Sequence, residues 1–204
     1  STVINENDEV IIPETNEFDP TSPITRRWNT GSATGTLAGI DDVGFTSALI
    51  DHFDAAFNID TSRVYATGMS NGAMFSNRLA VELSDKIAGI GAVTGQLGSM
   101  YVDKTPKAPI TVVHVMGDTD PVVPYEGRPG SLLSVDETIN YWKQANGTVS
   151  KARVTELPQT VEGDPTKIFR EVYGGGKYGT EVILYKVEGG GHTWPGGPQY
   201  LKPN

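Results

Sequence analysis

The feature that most constrains the fold is an apolar run from Ile110 to Met116. A continuous run of this kind is typical of a strand that is buried on both faces of a parallel sheet. Neighbouring parallel strands are joined by long crossover connections, which are usually helices. The run therefore predicts a sheet covered by helices, and the rest of the chain should alternate between strand and helix patterns.

Helical patterns occur on both sides of this run. The first follows Asp41 and Asp42, whose carboxylates suit a helix N-terminus, and it is the most clearly amphipathic. Its apolar residues, spaced four apart, are Phe45, Leu49, Phe53 and Phe57. Those of the second helix are Phe75, Leu79 and Leu83. A capping box over Ser134–Glu137 predicts the start of a third helix, which we expect to end near Gly147.

Strand patterns fill most of the remaining chain. They cover Val10–Ile12, Arg63–Thr67, Ile87–Val93, Val154–Leu157, Ile168–Tyr173 and Val182–Val187. Between the first of these and the first helix lies a turn-rich segment with Pro20, Pro23 and Trp28, which we predict to be a long loop. The alternation predicts an α/β fold with a mostly parallel sheet flanked by helices. We find no internal repeat and no linker, so residues 1–204 are predicted to form a single domain.

Composition excludes several classes of function. The 204 residues carry a net charge of −9, which disfavours nucleic acid or an anionic membrane as a partner, because both would repel the chain. The longest apolar run is too short to cross a bilayer, which takes about 20 residues. There is no cysteine, so disulfides, a thiol nucleophile and thiolate metal sites are excluded together.

One short motif points to chemistry. Gly68-x-Ser70-x-Gly72 stands between a strand pattern and a helix pattern, as the nucleophile elbow of serine hydrolases requires. In such a turn the serine hydroxyl rises above the sheet, and we expect no room for side chains at the two flanking glycines. The turn also directs the next main-chain N–H, that of Asn71, at a developing oxyanion. The alternative is an ordinary glycine-rich turn.

A serine nucleophile needs a base, and the chain has three histidines. His52 lies within the first predicted helix and is interpreted as a boundary or surface residue. His114 lies in the buried run and is interpreted as a hydrogen-bonded core histidine. His192 lies in the glycine-rich loop Gly189–Gly197 after the last strand, so it is the candidate base, with a structural loop histidine as the alternative.

The imidazole in turn needs a carboxylate to orient it. Asp118 and Asp120 follow the buried run, at the strand end where α/β sheets bind ligands. Both are also ordinary turn residues, and we favour Asp120, which directly precedes Pro121. The order Ser70, Asp120, His192 is that of α/β-hydrolases.

Two other patterns are discounted. Gly174-x-Gly176-x-x-Gly179 lacks a following helix and is interpreted as a hairpin loop. Asn146-Gly147-Thr148 has the form of a glycosylation site and is interpreted as the end of the third helix. No group of residues has metal-ligand spacing, so we expect neither a metal nor a cofactor.

Four stretches together resemble the polyhydroxybutyrate depolymerase/feruloyl esterase family, α/β-hydrolases that include acetylxylan esterases. They are Gly39–Phe45, Ile59–Gly72, Gly117–Tyr125 and Gly189–Gly196. The resemblance runs in register from about residue 10 to 200. It implies an α/β-hydrolase fold and a secreted serine ester hydrolase, with Ser70 as nucleophile, Asp120 as acid and His192 as base. Trp28 and Trp194 resemble positions near the family's binding cleft, with loop packing as the alternative.

The chain departs from the family pattern in two ways. Members commonly carry a cysteine where Thr148 stands and another near Gly175, so the chain lacks both halves of one bridge. The family also has strands and a His-Gly oxyanion motif before the position of Ser1, and a closing helix after that of Asn204. We therefore expect an incomplete domain whose second oxyanion donor lies outside these residues.

These observations predict a serine carboxylic-ester hydrolase with an acyl-enzyme intermediate. Feruloyl or acetyl esters, or a hydroxyalkanoate polyester, are the expected substrates. A serine peptidase of the same fold is one alternative. A non-catalytic binding module for carbohydrate or polyester, derived from an esterase, is the other.

Overall fold

A computed structural model describes residues 27–31 and 39–197, together with the backbone of two short strands. These strands, β1 (Val3–Ile4) and β2 (Val10–Ile11), pair in antiparallel fashion, which confirms the strand predicted at Val10. Most of the loop predicted between this strand and the first helix, including Pro20 and Pro23, lies outside the described residues.

The centre of the fold is a six-stranded sheet. Its strands are β3 (Tyr65–Met69), β4 (Gly89–Val93), β5 (Thr111–Gly117), β6 (Arg153–Glu156), β7 (Lys167–Tyr173) and β8 (Val182–Glu188). Their spatial order is β3-β4-β5-β8-β7-β6. The strand predicted from the apolar run, β5, lies between two parallel neighbours in the interior of the sheet, as expected.

The sheet is mixed, with parallel pairing from β3 through β4 and β5 to β8 and antiparallel pairing of β8 with β7 and of β7 with β6. The parallel part is the one that the sequence predicted from helix-connected strands. No α-helix separates β6, β7 and β8, and consecutive strands joined without a crossover helix pair in antiparallel fashion. The loop from Gly174 to Gly179 is the β7–β8 connection, which confirms its interpretation as a hairpin loop.

Within the described residues, three α-helices accompany the sheet: α1 (Asp42–Ala56), α2 (Asn71–Glu82) and α3 (Val135–Asn146). Asp41 caps α1 by accepting a hydrogen bond from the Gly44 amide. Both hydrogen bonds of the predicted capping box begin α3, and Gly147 ends it with φ of 68°. The stripe of α1 is less buried than its periodicity implied, since Phe57 is 59% exposed. Periodicity thus located the helix without showing how much of its apolar face is covered.

The strand predicted to begin at Arg63 begins two residues later. Thr61–Arg63 form a short 3-10 turn. The Asp60 carboxylate accepts a hydrogen bond from the Ser62 amide at 3.0 Å and another from the Arg63 guanidinium at 2.6 Å. These local bonds hold Arg63 in the turn and delay the strand.

Helices α2 and α3 pack together on one face of the sheet and enclose the main core. Trp142 of α3 is fully buried, and its Nε1–H donates to Asn77 Oδ1 of α2 at 3.0 Å. Asn146 at the end of α3 is also fully buried and exchanges two hydrogen bonds with the main chain of Ile110. The asparagine of the discounted glycosylation pattern therefore belongs to the core.

His114 of β5 is a core histidine, as predicted, with only 1% of its surface exposed. The expected hydrogen bond is not found at Nε2, which has no partner among the described residues. Burial, which disfavours the charged imidazolium, lowers the pKa of His114 from 6.5 to about 4. The ring is consequently neutral at pH 7.

We expect His114 to make the folded state sensitive to mild acid. Because its pKa is lower folded than unfolded, the unfolded chain takes up the proton first as pH falls. The stabilisation is complete above pH 6.5 and is lost as pH falls from 6.5 towards 4. On going from pH 7 to pH 5, protonation of His114 in the unfolded chain should lower the free energy of unfolding by about 2 kcal/mol.

Urea unfolding at the two pH values checks this expectation. His114→Leu should lose about 2 kcal/mol less stability than the parent on going from pH 7 to pH 5, because it has no imidazole to protonate. Equal losses of unfolding free energy in the two proteins would show that protonation of His114 does not cause the acid sensitivity.

Candidate active site

The predicted catalytic residues all follow strands of the parallel part of the sheet. Ser70 follows β3, Asp120 lies three residues after β5, and His192 lies four residues after β8. Since β3, β4, β5 and β8 are mutually parallel, their carboxyl ends lie at one edge of the sheet. This edge is where open α/β sheets bind ligands.

Ser70 occupies a strained turn between β3 and α2. Its φ of 54° and ψ of −117° lie outside the regions that a non-glycine residue ordinarily adopts. The turn is held by hydrogen bonds from the Ser70 amide to the Val93 carbonyl and from the Met74 amide to the Ser70 carbonyl. Backbone strain of this kind costs about 1–3 kcal/mol and tends to occur at functional sites.

Close packing requires glycine at one of the two positions that flank Ser70. A Cβ on Gly68 would lie 2.5 Å from the main-chain carbon of Gly72, which leaves no room for it. The same expectation for Gly72 is wrong, because a Cβ there would meet none of the described atoms within 4 Å. Gly72 lies in the first turn of α2, and a side chain at this position would point away from the elbow around Ser70.

A third glycine, Gly95, which no sequence motif predicted, packs against the turn that carries Ser70. A Cβ on Gly95, in the loop after β4, would lie 2.6 Å from the Ser70 carbonyl oxygen and 2.7 Å from the Ala73 Cβ. This loop therefore packs directly against the elbow. No local pattern marks Gly95, because its role depends on the pairing of β3 with β4.

His192 and Asp120 form a buried pair. Nδ1 of His192 lies 2.7 Å from Oδ2 of Asp120, and the side chains are 7% and 0% exposed. The other oxygen, Oδ1, accepts hydrogen bonds from the amides of Val122 and Val123, each at 2.8 Å. An ionised carboxylate only accepts hydrogen bonds, so this contact favours the imidazole tautomer that carries its proton on Nδ1.

Asp118 has different partners. Its Oδ1 accepts a hydrogen bond from the Gly189 amide at 2.8 Å, and its Oδ2 lies 3.8 Å from the Lys186 ammonium. It also lines a polar cleft of about 520 Å³ that contains Glu126, Asp136 and Glu171. Of the two candidate aspartates, only Asp120 has a hydrogen bond to His192 among those described.

The loop that carries His192 crosses the end of β5. A Cβ on Gly117, the last residue of β5, would lie 2.5 Å from the main-chain carbon of Gly190. The Gly190 carbonyl also accepts hydrogen bonds from both the amide and the hydroxyl of Thr119. The glycines at 117 and 190 thus let the loop turn from β8 back over β5, towards the strands that carry the elbow.

Residues 28–31, which we call the Trp28 segment, lie against the elbow. The Trp28 amide donates to Oδ1 of Asn71 at 2.7 Å, and Nδ2 of Asn71 donates to the Trp28 carbonyl at 3.1 Å. The indole ring stacks on Phe75 of α2, with centroids 4.7 Å apart and planes 3° from parallel. Trp28 therefore packs in its loop and is also 40% exposed beside the elbow.

The next residue, Asn29, connects this segment to two helices. Its amide donates to Asp42 Oδ2 of α1 at 2.6 Å, and its carbonyl accepts from Arg78 of α2 at 2.7 Å. Its side chain also bonds the Ile40 carbonyl and the Gly31 amide. No sequence pattern marks Asn29, since it is a single asparagine in a loop.

The remaining candidates are Trp194 and His52. Trp194, two residues after His192, is 45% exposed. His52 of α1 is half-buried and has an edge-on ring contact with Phe53, consistent with a boundary position. Within the described ranges, no three His, Cys, Asp or Glu side chains are grouped as metal ligands. No helix in that part of the chain is long and apolar enough to cross a membrane.

Relatives of the chain carry esterase names. NocK of Nocardia uniformis subsp. tsuyamanensis, whose name ascribes esterase activity to it, is 35% identical over 176 residues, which cover 79% of this chain and 51% of NocK. Feruloyl esterase B of Piromyces equi is 27% identical over 182 residues, which cover 84% of this chain and 32% of that protein. These homologues confirm the resemblance that the four motifs indicated.

Solved structures agree on the fold. The acetyl xylan esterase from Aspergillus awamori superposes with a TM-score of 0.51 over 75% of this chain and 62% of that one, at 16% identity. The likeness shows the α/β-hydrolase fold. No protein-family model matches the chain. The chain spans about half the length of NocK and about a third of the feruloyl esterase.

Proposed function

We propose that this chain, an α/β-hydrolase homologous to esterases, acts as a serine carboxylic-ester hydrolase through a covalent acyl-enzyme. One observation carries the proposal. The buried 2.7 Å contact between His192 and Asp120 lies at the sheet edge that also bears Ser70 on a strained turn. A serine, an imidazole and an orienting carboxylate at one edge are the parts that acyl transfer requires.

In the proposed reaction, Ser70 Oγ attacks the ester carbonyl carbon while Nε2 of His192 takes the hydroxyl proton. The tetrahedral intermediate then collapses, the bond to the alcohol oxygen breaks, and His192 gives its proton to the departing alkoxide. Water attacks the acyl-enzyme and loses a proton to His192. That proton returns to Ser70 as the carboxylic acid leaves. Throughout, Asp120 orients the imidazole and stabilises its charged form.

The main-chain N–H of Asn71 is the proposed donor to the oxyanion. Asn71 is the first residue of α2, and the first N–H groups of a helix have no acceptor within the helix. The helix dipole also favours negative charge at this end. A preorganised donor of this type contributes about 10²–10³ to turnover.

The proposed substrates are esters of feruloyl or acetyl groups, or a hydroxyalkanoate polyester. Two half-exposed indoles, Trp28 and Trp194, are the proposed binding surfaces for them. The name of one sequence relative, a feruloyl esterase, supports the first class. Action outside the cell is proposed from the family resemblance.

A fluorophosphonate probe tests the proposal, because it labels only a serine that a base activates. We expect stoichiometric labelling at Ser70 and hydrolysis of 4-nitrophenyl acetate, with slower hydrolysis of the matching 4-nitroanilide. Preferred cleavage of the anilide would instead indicate a peptidase. An unlabelled Ser70 in a folded protein would indicate a binding module and overturn the proposal.

A further inference from the structure

We propose that the carboxamide of Asn71, and not only its main-chain N–H, serves the site: it positions Trp28 beside the nucleophile and so sets KM for esters with large acyl groups. The inference rests on the proposed function, since KM refers to ester hydrolysis. Asn71 is thus a positioning residue for Trp28.

The contact that carries this inference is reciprocal. The Asn71 side chain accepts from the Trp28 amide and donates to the Trp28 carbonyl, at 2.7 and 3.1 Å. Both main-chain polar groups of Trp28 are thereby bonded to the residue that directly follows Ser70. Because two bonds fix an orientation as well as a distance, they hold the Trp28 main chain in one place relative to the elbow.

The two hydrogen bonds between Asn71 and Trp28, which we call the bridge, restrain the Trp28 segment more than the elbow. The elbow is held without it, by the bond of the Ser70 amide to Val93 and by the packing of Gly95 beneath it. Trp28 lies in no helix or strand. Loss of the bridge should therefore move Trp28 and leave the elbow in place.

The position of Trp28 matters because its main chain is bonded to Asn71, the residue that directly follows Ser70. One face of the indole stacks on Phe75, which fixes the ring plane parallel to that of the phenylalanine. Trp28 as a whole remains 40% exposed. An exposed aromatic surface on a residue bonded to Asn71 is suited to contact an apolar acyl group, and such contacts favour defined stacking distances.

The rest of the segment keeps a separate attachment. Asn29 remains bonded to Asp42 and to Arg78 when the Asn71 side chain is removed. The movement expected on loss of the carboxamide is accordingly local to Trp28.

The test compares Asn71→Leu, Trp28→Ala and the double variant on two esters, 4-nitrophenyl acetate and 4-nitrophenyl 3-phenylpropanoate. Leucine is similar in shape to asparagine and makes neither hydrogen bond. We expect Asn71→Leu to raise KM for the phenylpropanoate about 5- to 30-fold, the equivalent of one or two lost hydrogen bonds. The change in kcat, and the change in KM for the acetate, should be smaller.

The double variant distinguishes positioning from an independent role. If Asn71 acts through the Trp28 ring, adding Asn71→Leu to Trp28→Ala should raise KM for the phenylpropanoate no further. Additive effects would overturn the inference. Asn140→Leu, at an exposed position of α3, is the matched control and should behave as the parent.

Acrylamide quenching of tryptophan fluorescence tests the positioning without catalysis. In a Trp194→Phe background the quenchable emission comes from Trp28, since Trp142 is fully buried. Asn71→Leu should increase quenching, and unchanged quenching would overturn the inference. If no ester is hydrolysed and Ser70 is not labelled by the fluorophosphonate, the proposed function fails, and the quenching result still reports on the bridge.

Discussion

Ser70→Ala should lower kcat for 4-nitrophenyl acetate by about four to six orders of magnitude. The alanine cannot form the acyl-enzyme, so only ester binding and the oxyanion donor remain to assist attack by water. The Ser70 side chain makes no capping hydrogen bond to α2 that the fold would lose. KM and thermal stability should therefore change little compared with kcat.

Steady-state kinetics together with electrospray mass spectrometry measure this result. The parent, mixed with excess ester and quenched with acid, should show the mass of the acyl group on the peptide containing Ser70, and the variant should not. Ser62→Ala is a matched control, since Ser62 lies in the exposed turn before β3. Turnover that survives in Ser70→Ala at more than about one hundredth of the parent rate would contradict the nucleophile assignment.

Asp120→Asn should lower kcat by about 10⁴ with little change in the position of the loop. The asparagine Oδ1 can still accept from the Val122 and Val123 amides, so the turn keeps its hydrogen bonds. The asparagine Nδ2–H₂ group, however, now faces Nδ1 of His192 in place of the carboxylate oxygen. Because this group donates a hydrogen bond, Nδ1 must accept it, and the imidazole proton then lies on Nε2. In that tautomer the ring has no lone pair for the Ser70 proton.

Asp118→Asn is the matched control for this substitution. The introduced carboxamide oxygen would still accept the Gly189 amide, and the lost contact with Lys186 is worth at most about 1 kcal/mol because both side chains are partly exposed. We expect less than about a tenfold loss of kcat. Equal losses in the two variants would show that Asp120 has no special role.

The sequence was sufficient for features whose signal is local. The 110–116 run, the capping box at Ser134 and the strand–turn–helix context of Ser70 each occupy consecutive residues. The strand β5, the start of α3 and the strained turn lie where these patterns predicted them. Hydrophobic burial and capping act over a few residues, which is why they can be recognised without the fold.

Predictions that depended on distant neighbours were less complete. Gly72 was expected to be as restricted as Gly68, but the two differ in what their missing side chains would meet. The apolar stripe of α1 correctly indicated a helix, yet Phe53 and Phe57 remain substantially exposed. The sequence predicted the parallel part of the sheet but not the antiparallel pairing of β6, β7 and β8, because pairing depends on which strands come together in space.

By itself, the sequence determined the chemical groups available to this protein: one serine on an elbow, one histidine in a glycine-rich loop and two nearby aspartates. Only the tertiary structure shows which of those aspartates contacts His192, since Asp118 and Asp120 differ by two positions in the chain and their distances to His192 depend on the turn after β5. It also joined Trp28 to Asn71 across 43 residues. Side-chain identity is set by the chain, whereas a hydrogen bond requires a distance near 3 Å that only the folded backbone provides.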